Sequence, residues 1–141
     1  MRIFFDASVL FSAIYSSVGA SRVLAQLVLE GKVIGVITET VVEELVRNME
    51  KIRGVDTQDV YEFVAGYGFV IRSRIVCAEI EPFVGLVEEK DAHVVAGAIL
   101  TECDYLVTLD KKHLDNSLTK KRVLDVVIVS PGKMLEVITD L

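Results

Sequence analysis

Apolar residues follow two patterns along this chain, and each pattern is typical of one kind of secondary structure. Short runs of bulky apolar residues are typical of buried strands, whereas apolar residues that recur every three or four positions are typical of amphipathic helices. The predicted strands are Arg2–Phe5, Val33–Ile37, Phe69–Val76, Tyr105–Leu109 and Val126–Val129. Helical patterns separate these runs, so strands and helices are predicted to alternate.

Capping residues and helix breakers mark the ends of the predicted helices. Gly31 ends the second helix, and Pro131 suits the first turn of the last helix, where its missing N–H is not needed. The predicted helices are Ala7–Tyr15, Ser21–Glu30, Thr38 or Thr40 to about Gly54, Asp56 or Thr57 to about Tyr67, Glu79–Lys90, Asp91–Thr101 and one that begins at Pro131.

This alternation predicts an α/β fold with a mainly parallel sheet and helices on both of its faces. The third strand is predicted to lie at an edge, because Arg72 and Arg74 alternate with apolar residues and need a solvated face. The sequence has 141 residues, of which 52% are hydrophobic and 26% are charged, and this composition suits one ordered domain over residues 1–141.

The apolar segments and the cysteines bear on where the protein works. The longest unbroken apolar stretch, Val94–Leu100, falls far short of the roughly 20 residues that a membrane-spanning helix needs. Asp6 interrupts the one stretch near the start that could act as a secretory leader. Cys77 and Cys103 lie far apart with no metal-like spacing, so free thiols are predicted. These features predict a cytoplasmic protein.

Four acidic positions fall where the ends of neighbouring elements meet in a parallel sheet. Asp6 and Asp110 follow predicted strands, Glu43 or Glu44 lies in the helix after the second strand, and Asp91 begins a later helix. Ligands bind such sheets beyond the carboxyl ends of the strands, so these carboxylates are predicted to converge. Clustered carboxylates repel one another unless they share protons or hold a cation, and oxygen ligands suit Mg²⁺ or Mn²⁺. Such a site favours phosphodiester hydrolysis.

Each of these residues also has an ordinary structural explanation. A lone aspartate after a strand is usually a turn former or a helix cap, and Asp91 alone is most often an N-cap. Glu43 and Glu44 are typical of solvated helix faces. His93 and His113 have no partner in the sequence, and they are predicted to be surface or packing residues rather than metal ligands. The acidic positions favour a functional site when they are taken together.

The formal net charge of -6 argues against a broad nucleic-acid-binding surface, which is usually basic. Basic residues nevertheless cluster in three places, so a basic rim around an acidic pocket and an ordinary solvated surface both fit the sequence. The clusters are Arg47, Lys51 and Arg53; Arg72 and Arg74; and Lys111, Lys112, His113, Lys120, Lys121 and Arg122.

Four segments together carry a family resemblance that covers nearly the whole chain. IFFDASVLFSA combines the first strand with the first acid, and TETVVEELVRN contains the second acid. EKDAHVVAGAILTECDYLVTLDKKHL spans the third and fourth acids, and VVIVSPGKMLEVI covers the last strand and helix. In their order and spacing these segments resemble the PIN domain family of metal-dependent ribonucleases.

The resemblance implies a five-stranded parallel sheet, an acidic pocket that holds Mg²⁺ or Mn²⁺, and cleavage of RNA at that pocket. Of the two adjacent glutamates it favours Glu44 over Glu43. The implied catalytic residues are Asp6, Glu44, Asp91 and Asp110. The implied metal ligands are Asp6, Asp91 and Asp110, and the implied supporting residues, which act through hydrogen bonds, are Ser8 and Thr108.

Two positions depart from the pattern of the family. Ser8 stands where members often have Asn, and Lys112 stands where many members carry a further acid. The second departure argues against a second metal site, though not against the first. The basic residues that would guide the RNA backbone are Lys111, Lys112, Lys120, Lys121 and Arg122.

The family includes toxins of toxin–antitoxin pairs, which are often dimeric and silenced by a partner, and also RNA-processing nucleases. An antitoxin-like partner and a homodimer are therefore implied beside the RNA substrate. The alternative function is a noncatalytic PIN-like module that binds RNA or a protein. Other phosphotransfer folds fit worse, because a haloacid-dehalogenase-like phosphatase needs a second Asp where Ser8 stands. A receiver domain needs an acidic pair and a mid-chain phosphoacceptor that this pattern lacks.

Overall fold

A computed structural model describes residues 1–141, and a five-stranded sheet lies at its centre. The strands are β1 (Arg2–Phe5), β2 (Ile34–Thr38), β3 (Val70–Arg72), β4 (Tyr105–Val107) and β5 (Val127–Val129). They pair in parallel in the order β3-β2-β1-β4-β5. The predicted α/β class with a five-stranded parallel sheet is confirmed, and the predicted position of β3 at an edge is confirmed as well.

The strand order creates a topological switch point between β1 and β4. The chain runs from β1 outward to β2 and β3, and it then returns to the other side of β1 to form β4 and β5. Connections therefore leave the carboxyl ends of β1 and β4 in opposite directions, which opens a crevice between them. The register pairs Phe5 with Val107, so the next residues, Asp6 and Thr108, stand side by side at this crevice.

Eight α-helices and two 3₁₀ turns connect and cover the strands. The helices are α1 (Ala7–Tyr15), α2 (Ala20–Leu29), α3 (Glu39–Met49), α4 (Gln58–Tyr67), α5 (Cys77–Ile80), α6 (Ala92–Leu100), α7 (Ser117–Arg122) and α8 (Pro131–Thr139). The 3₁₀ turns are Glu81–Phe83 and Glu89–Asp91. Helices α1 and α8 begin where the sequence predicted them to begin.

Helices lie on both faces of the sheet, as predicted. On one face, α6 lies so close to β1 that a Cβ at Gly97 would be 2.8 Å from the ring of Phe4. On the opposite face, a Cβ at Gly35 of β2 would be 2.8 Å from Val28 of α2 and equally close to Phe69. Glycine at these two positions lets the neighbouring side chains approach the backbone. The buried hydrophobic residues, 33 in number, form one continuous core.

Helices α1 and α2 follow each other closely and meet at an angle of 92°. Taken together they have the length and composition of a bent membrane-spanning pair, whereas no single helix is long and apolar enough to span a membrane. Both helices bury apolar side chains in the protein core, among them Leu10 and Leu24.

The predicted helix over Glu79–Lys90 is wrong. The structure has the end of α5, a 3₁₀ turn, a loop and the beginning of a second 3₁₀ turn in this segment. Pro82 has no N–H for a helical hydrogen bond, and Gly85 has a positive φ of 86° that a right-handed helix does not contain. The segment therefore turns repeatedly before it delivers Asp91 to the start of α6.

Two smaller differences concern an edge strand and a short helix. Strand β3 ends at Arg72 rather than Val76, because the following backbone binds α3 instead: the N–H of Ile75 donates to Thr40 Oγ1 at 2.9 Å. Helix α7 was not predicted from the sequence. It has six residues, too few for a clear apolar repeat, and its cap Asn116 accepts a hydrogen bond from the first turn at 2.9 Å.

Candidate active site

The crevice between β1 and β4 begins with Asp6, the residue that directly follows β1. Its backbone N–H donates to the carbonyl of Val107 at 3.1 Å and extends the pairing of the two strands by one step. The residue is 6% exposed, and its side chain accepts hydrogen bonds from the N–H of Ala7 at 2.8 Å, Ser8 Oγ at 3.1 Å and Thr108 Oγ1 at 2.7 Å. Asp6 is therefore the N-cap of α1 and also a fixed carboxylate on the crevice wall.

Ser8 and Thr108 tie the ends of β1 and β4 together across the crevice. Ser8 Oγ accepts a hydrogen bond from the N–H of Leu109 at 3.1 Å, and Thr108 Oγ1 accepts one from the N–H of Asp110 at 3.0 Å. Each hydroxyl thus donates to Asp6 and accepts from the loop after β4. The structure brings both predicted supporting residues to the first predicted acid.

Two opposing influences act on the pKa of Asp6. Burial raises this pKa above the ordinary value of 3.8, and the negative charge of Glu44 raises it further. The hydrogen bonds from Thr108, Ser8 and the backbone favour the ionised form and lower it, but they do not cancel the effect of burial. The pocket therefore makes a charged Asp6 costly even though its oxygens have donors.

Asp91 ends the second 3₁₀ turn and occupies the N-cap position of α6. Its side chain makes no capping hydrogen bond, so the ordinary explanation of this residue as a helix cap does not hold. The residue is 7% exposed, and its Oδ2 atom has no hydrogen-bond partner. Burial raises the pKa of Asp91 to about 6, and the charges of Asp110 and Asp6 add to the rise against the opposing charges of Lys90 and His113.

Helix α3 places Glu44 beside these aspartates. Its buried Oε2 atom lies 3.0 Å from Nε2 of His93 in α6, although the two groups are not aligned for a hydrogen bond. The other ring nitrogen of His93, Nδ1, is buried without a partner. Glu43 instead pairs with Arg74. Of the two adjacent glutamates, Glu44 is the one that the structure places next to the other acids.

Asp110 folds the loop after β4 around its own side chain. Its Oδ1 atom accepts a hydrogen bond from the N–H of His113 at 3.0 Å, and its Oδ2 atom lies 3.3 Å from Nδ1 of the same histidine. One ligand atom each from Asp91, Asp110 and His113 lie within 4.8 Å of one another. Asp6 and Glu44 line the same cleft but are not members of this closer group.

A cleft of about 410 Å³ collects the four predicted acids, together with Lys90 and Asn48. Carboxylate oxygens are the ligands that Mg²⁺ and Mn²⁺ prefer. A cation in the cleft would give the unpartnered oxygen of Asp91 a partner, and it would offset the repulsion that raises the pKa of this group. The residues present therefore fit a divalent cation. The predicted catalytic residues that share the cleft are Asp6, Glu44, Asp91 and Asp110.

A family model of the PIN domain matches residues 2–112, which is more than half of the chain. The chain belongs to the PIN domain family. The matched segment contains the four acids and both supporting hydroxyl groups of the cleft. No curated protein matches the sequence.

Solved structures of other proteins share the fold of this PIN domain. VapBC2 from Rickettsia felis, solved bound to a DNA fragment from their promoter, has a TM-score of 0.67 and 16% identity over 92% of this chain and 98% of that chain. PAE2754 from Pyrobaculum aerophilum has a TM-score of 0.65 and 15% identity over 100% of this chain and 97% of that chain. FitAcB from Neisseria gonorrhoeae has a TM-score of 0.61 and 16% identity over 92% of this chain and 98% of that chain. At these identities the likeness concerns the fold.

The last basic cluster of this PIN domain divides in the structure. Lys112 and Arg122 line a second cleft of about 370 Å³, and His113 lies at its wall as well as beside Asp110. Lys120 is 2.8 Å from an aspartate oxygen and is therefore partly neutralised. The other two predicted RNA-guiding residues, Lys111 and Lys121, are exposed.

The middle basic cluster is not a free basic surface. Arg72 pairs with Glu79, and Arg74 pairs with Glu43. Both positive charges are thus matched by nearby carboxylates. The basic group that contains Lys112 lies beside Asp110, and the first basic group flanks Asn48 and Ile52, which line the acidic cleft of the PIN domain.

Sequence reasoning missed three residues of the site. The two histidines were predicted to be surface or packing residues, and the structure places His93 beside Glu44 and His113 beside Asp110. Lys90 also lines the acidic cleft. A signal for His93 and Lys90 was available, because both lie within two positions of the third acid. The sequence gives no such signal for His113, whose contact depends on how the loop after β4 folds.

Proposed function

We propose that this PIN domain is a divalent-metal-dependent ribonuclease that hydrolyses RNA phosphodiester bonds. The observation that carries the proposal is the environment of Asp91, which is buried, has an unpartnered oxygen, and has a pKa raised to about 6 beside Asp110. An ionised carboxylate in this position is costly because no donor compensates its burial. A bound cation would remove that cost, and family membership supports the same chemistry.

Three aspartates are proposed to hold Mg²⁺ or Mn²⁺, namely Asp6, Asp91 and Asp110. When bound, the cation supplies Lewis-acid stabilisation of negative charge on the phosphoryl group. The chain supplies the positions of the ligands. Hydrogen bonds from Ser8 and Thr108 orient Asp6, and the tight turn after β4 orients Asp110.

Glu44 is proposed to complete the pocket and to orient the attacking water. Its side chain is 31% exposed and lines the cleft, so the carboxylate can accept a hydrogen bond from a water molecule there. His93, 3.0 Å away, limits the positions open to this carboxylate. A carboxylate that is held in place and has a free acceptor suits a water-positioning role.

A substrate with a phosphate backbone is supported by the second cleft. Lys112 and Arg122 lie in it, and His113 connects it to Asp110. These basic side chains would attract an RNA backbone whose scissile phosphate lies over the acidic residues. The net charge of -6 disfavours broad contact with RNA elsewhere on the protein. We therefore propose a narrow RNA contact that also uses Lys111, Lys120 and Lys121.

We further propose that the protein is the toxin member of a toxin–antitoxin pair and has an antitoxin-like protein partner. The family resemblance and the shared fold with VapBC2 and FitAcB support this role. A homodimer and a cytoplasmic location, where RNA is available, belong to the same proposal. Light scattering on the purified chain tests the dimer directly.

Cleavage of a mixed RNA pool in Mn²⁺, in Mg²⁺ or in EDTA tests the ribonuclease. We expect metal-dependent cleavage by the wild type and a loss of at least about 100-fold in Asp6→Asn, because a ligand is removed. Asp125→Asn, at an exposed position, is the matched control and should cleave like the wild type. Equal cleavage by the wild type and Asp6→Asn would indicate a contaminating nuclease and would remove the support for this mechanism.

The noncatalytic alternative makes a different prediction. It requires no cleavage and no rise in melting temperature when Mn²⁺ is added. Because a ligand that binds the folded state raises stability by mass action, a rise without cleavage would instead point to an RNA absent from the pool.

A further inference from the structure

His113 is the one nitrogen-bearing side chain in the group of potential metal ligands that also contains Asp91 and Asp110. Its Nδ1 atom lies 3.3 Å from Asp110 Oδ2, and one of its ring nitrogens lies within 4.8 Å of ligand oxygens of both Asp91 and Asp110. Two ligands on opposite sides of a cation, each at roughly 2.1 Å, are about 4.2 Å apart. Small side-chain rotations would therefore bring all three residues to one ion.

The backbone around His113 is held on both sides. Its N–H donates to Asp110 Oδ1 at 3.0 Å, and its carbonyl accepts a hydrogen bond from Thr119 Oγ1 of α7 at 3.1 Å. The next residue, Leu114, is fully buried in the core and donates its N–H to the carbonyl of Asp110 at 3.2 Å. A fixed loop thus holds the imidazole beside Asp110, and 21% of the side chain is exposed.

A second observation at the same place points to a ligand. Asp91 is more than nine-tenths buried, it lines the acidic cleft, and its Oδ2 atom has no hydrogen-bond partner. Buried polar atoms nearly always have a hydrogen-bond partner. An unpaired oxygen beside two further potential metal ligands is therefore typical of a site that takes an ion. Asp91 forms such a group of potential ligands with Asp110 and His113.

We propose that His113 is a direct metal ligand and forms a mixed carboxylate–imidazole site with Asp91 and Asp110. This inference rests on the proposed metal-dependent function and deepens it by adding a nitrogen ligand to the proposed aspartates. Carboxylates suit Mg²⁺ and Mn²⁺ alike, whereas imidazole suits transition metals and is a poor ligand for Mg²⁺. The site therefore prefers Mn²⁺ to Mg²⁺.

A role for His113 as a mere hydrogen-bond partner of Asp110 has different consequences. Such a histidine would orient the carboxylate, and its loss would weaken binding of Mg²⁺ and Mn²⁺ by similar factors. A direct ligand places nitrogen on the metal, and its replacement by an oxygen ligand changes the preference between the two metals. Metal-nitrogen coupling and metal preference are thus the informative measurements.

Pulsed electron paramagnetic resonance of Mn²⁺ bound to the full chain detects a directly coordinated imidazole nitrogen. The chain has two histidines, so His113→Asp and His93→Gln assign the signal between them. We expect nitrogen coupling in the wild type and in His93→Gln, and none in His113→Asp. Competition titrations of Mn²⁺ against Mg²⁺ should show that His113→Asp loses at least about tenfold of the Mn²⁺ preference.

The outcomes separate the two proposals. Mn²⁺ that binds the wild type without nitrogen coupling overturns the role of His113 and leaves the ribonuclease proposal standing. Coupling that persists in His113→Asp and disappears in His93→Gln overturns it too, in favour of the other histidine. A wild type that binds no Mn²⁺ at all overturns both proposals. His113→Gln repeats the test if the aspartate variant does not fold, and the wild-type spectrum does not depend on either variant.

Discussion

The two buried aspartates of the cleft, Asp6 and Asp91, are held in opposite ways. Asp6 accepts hydrogen bonds from two hydroxyl groups and one backbone N–H, whereas Oδ2 of Asp91 accepts none. Burial raises the pKa of both, but donors oppose the rise at Asp6, and more distant charges do so at Asp91. The two residues are of the same type and are buried to nearly the same extent, but they differ in their hydrogen bonds. A bound cation would therefore add most stability at Asp91, whose oxygen has no donor.

The largest expected effect is that of Asp91→Asn on cleavage and on stability, which should change in opposite directions. Loss of the ligand charge should lower metal-dependent cleavage by at least about 1,000-fold. Removal of a buried charge with no donor should raise the free energy of unfolding of the metal-free protein at pH 7.5 by about 1 kcal/mol. Cleavage rates and urea unfolding in EDTA measure the two effects.

Asp6→Asn provides the contrast with that variant. It should also lose cleavage, but its amide would face the hydroxyl groups that now donate to a carboxylate, so its stability should fall rather than rise. If both variants changed stability in the same direction, hydrogen bonding would not be what distinguishes the two aspartates.

Mn²⁺ should stabilise the wild type through the same unpaired oxygen. At a free concentration of 100 times the dissociation constant, the free energy of unfolding should rise by about 2.7 kcal/mol, which a thermal melt detects as a shift of several degrees. Asp91→Asn should show little of this rise, and the exposed control Asp125→Asn should show all of it. A full shift in Asp91→Asn would exclude this carboxylate as a principal ligand.

The stability of the metal-free protein should fall as pH rises from about 4 through about 6. The pKa of Asp91 is raised from 3.8 to about 6 in the folded state, so the folded protein binds more protons than the unfolded chain in that range. Its contribution is fully present below pH 4 and is lost above pH 6, a change of about 3 kcal/mol. Urea unfolding in EDTA at several pH values measures it, and an equal slope in Asp91→Asn would contradict the assignment.

The sheet and the positions of the acids could be predicted from the sequence for a physical reason. Parallel strands that are buried on both faces read as continuous apolar runs, and the residues after them must meet at one edge. Asp6 after IFF and Asp110 after YLVTL follow that rule directly. The choice of Glu44 over Glu43 came from the family resemblance, and the structure places Glu44 in the cleft.

The segments between the elements could not be predicted in the same way. The apolar and acidic residues of 79–90 fit a helical repeat, but Pro82 and Gly85 impose turns that the repeat does not reveal. His113 comes to Asp110 because the side chain of Asp110 closes its own loop. Such contacts depend on the path of a loop, which apolar periodicity does not specify.

The smallest expected effect comes from Thr108→Val, which would make Asp6 more like Asp91. The substitution keeps the size of a fully buried side chain but removes the donor to Asp6 and the acceptor for the N–H of Asp110. Stability at pH 7 should fall by about 1 kcal/mol, because Ser8 and the backbone still hold Asp6.

Loss of that donor should also raise the pKa of Asp6, since the hydrogen bond from Thr108 is the largest influence that lowers it. The metal-free Thr108→Val protein should therefore lose more stability than the wild type as pH rises, in the same direction as the effect assigned to Asp91. Thr108→Ser keeps the hydroxyl group and should retain the wild-type slope. An unchanged slope in Thr108→Val would mean that burial alone sets the charge state of Asp6, and the contrast between the two aspartates would then have to arise from the neighbouring charges instead.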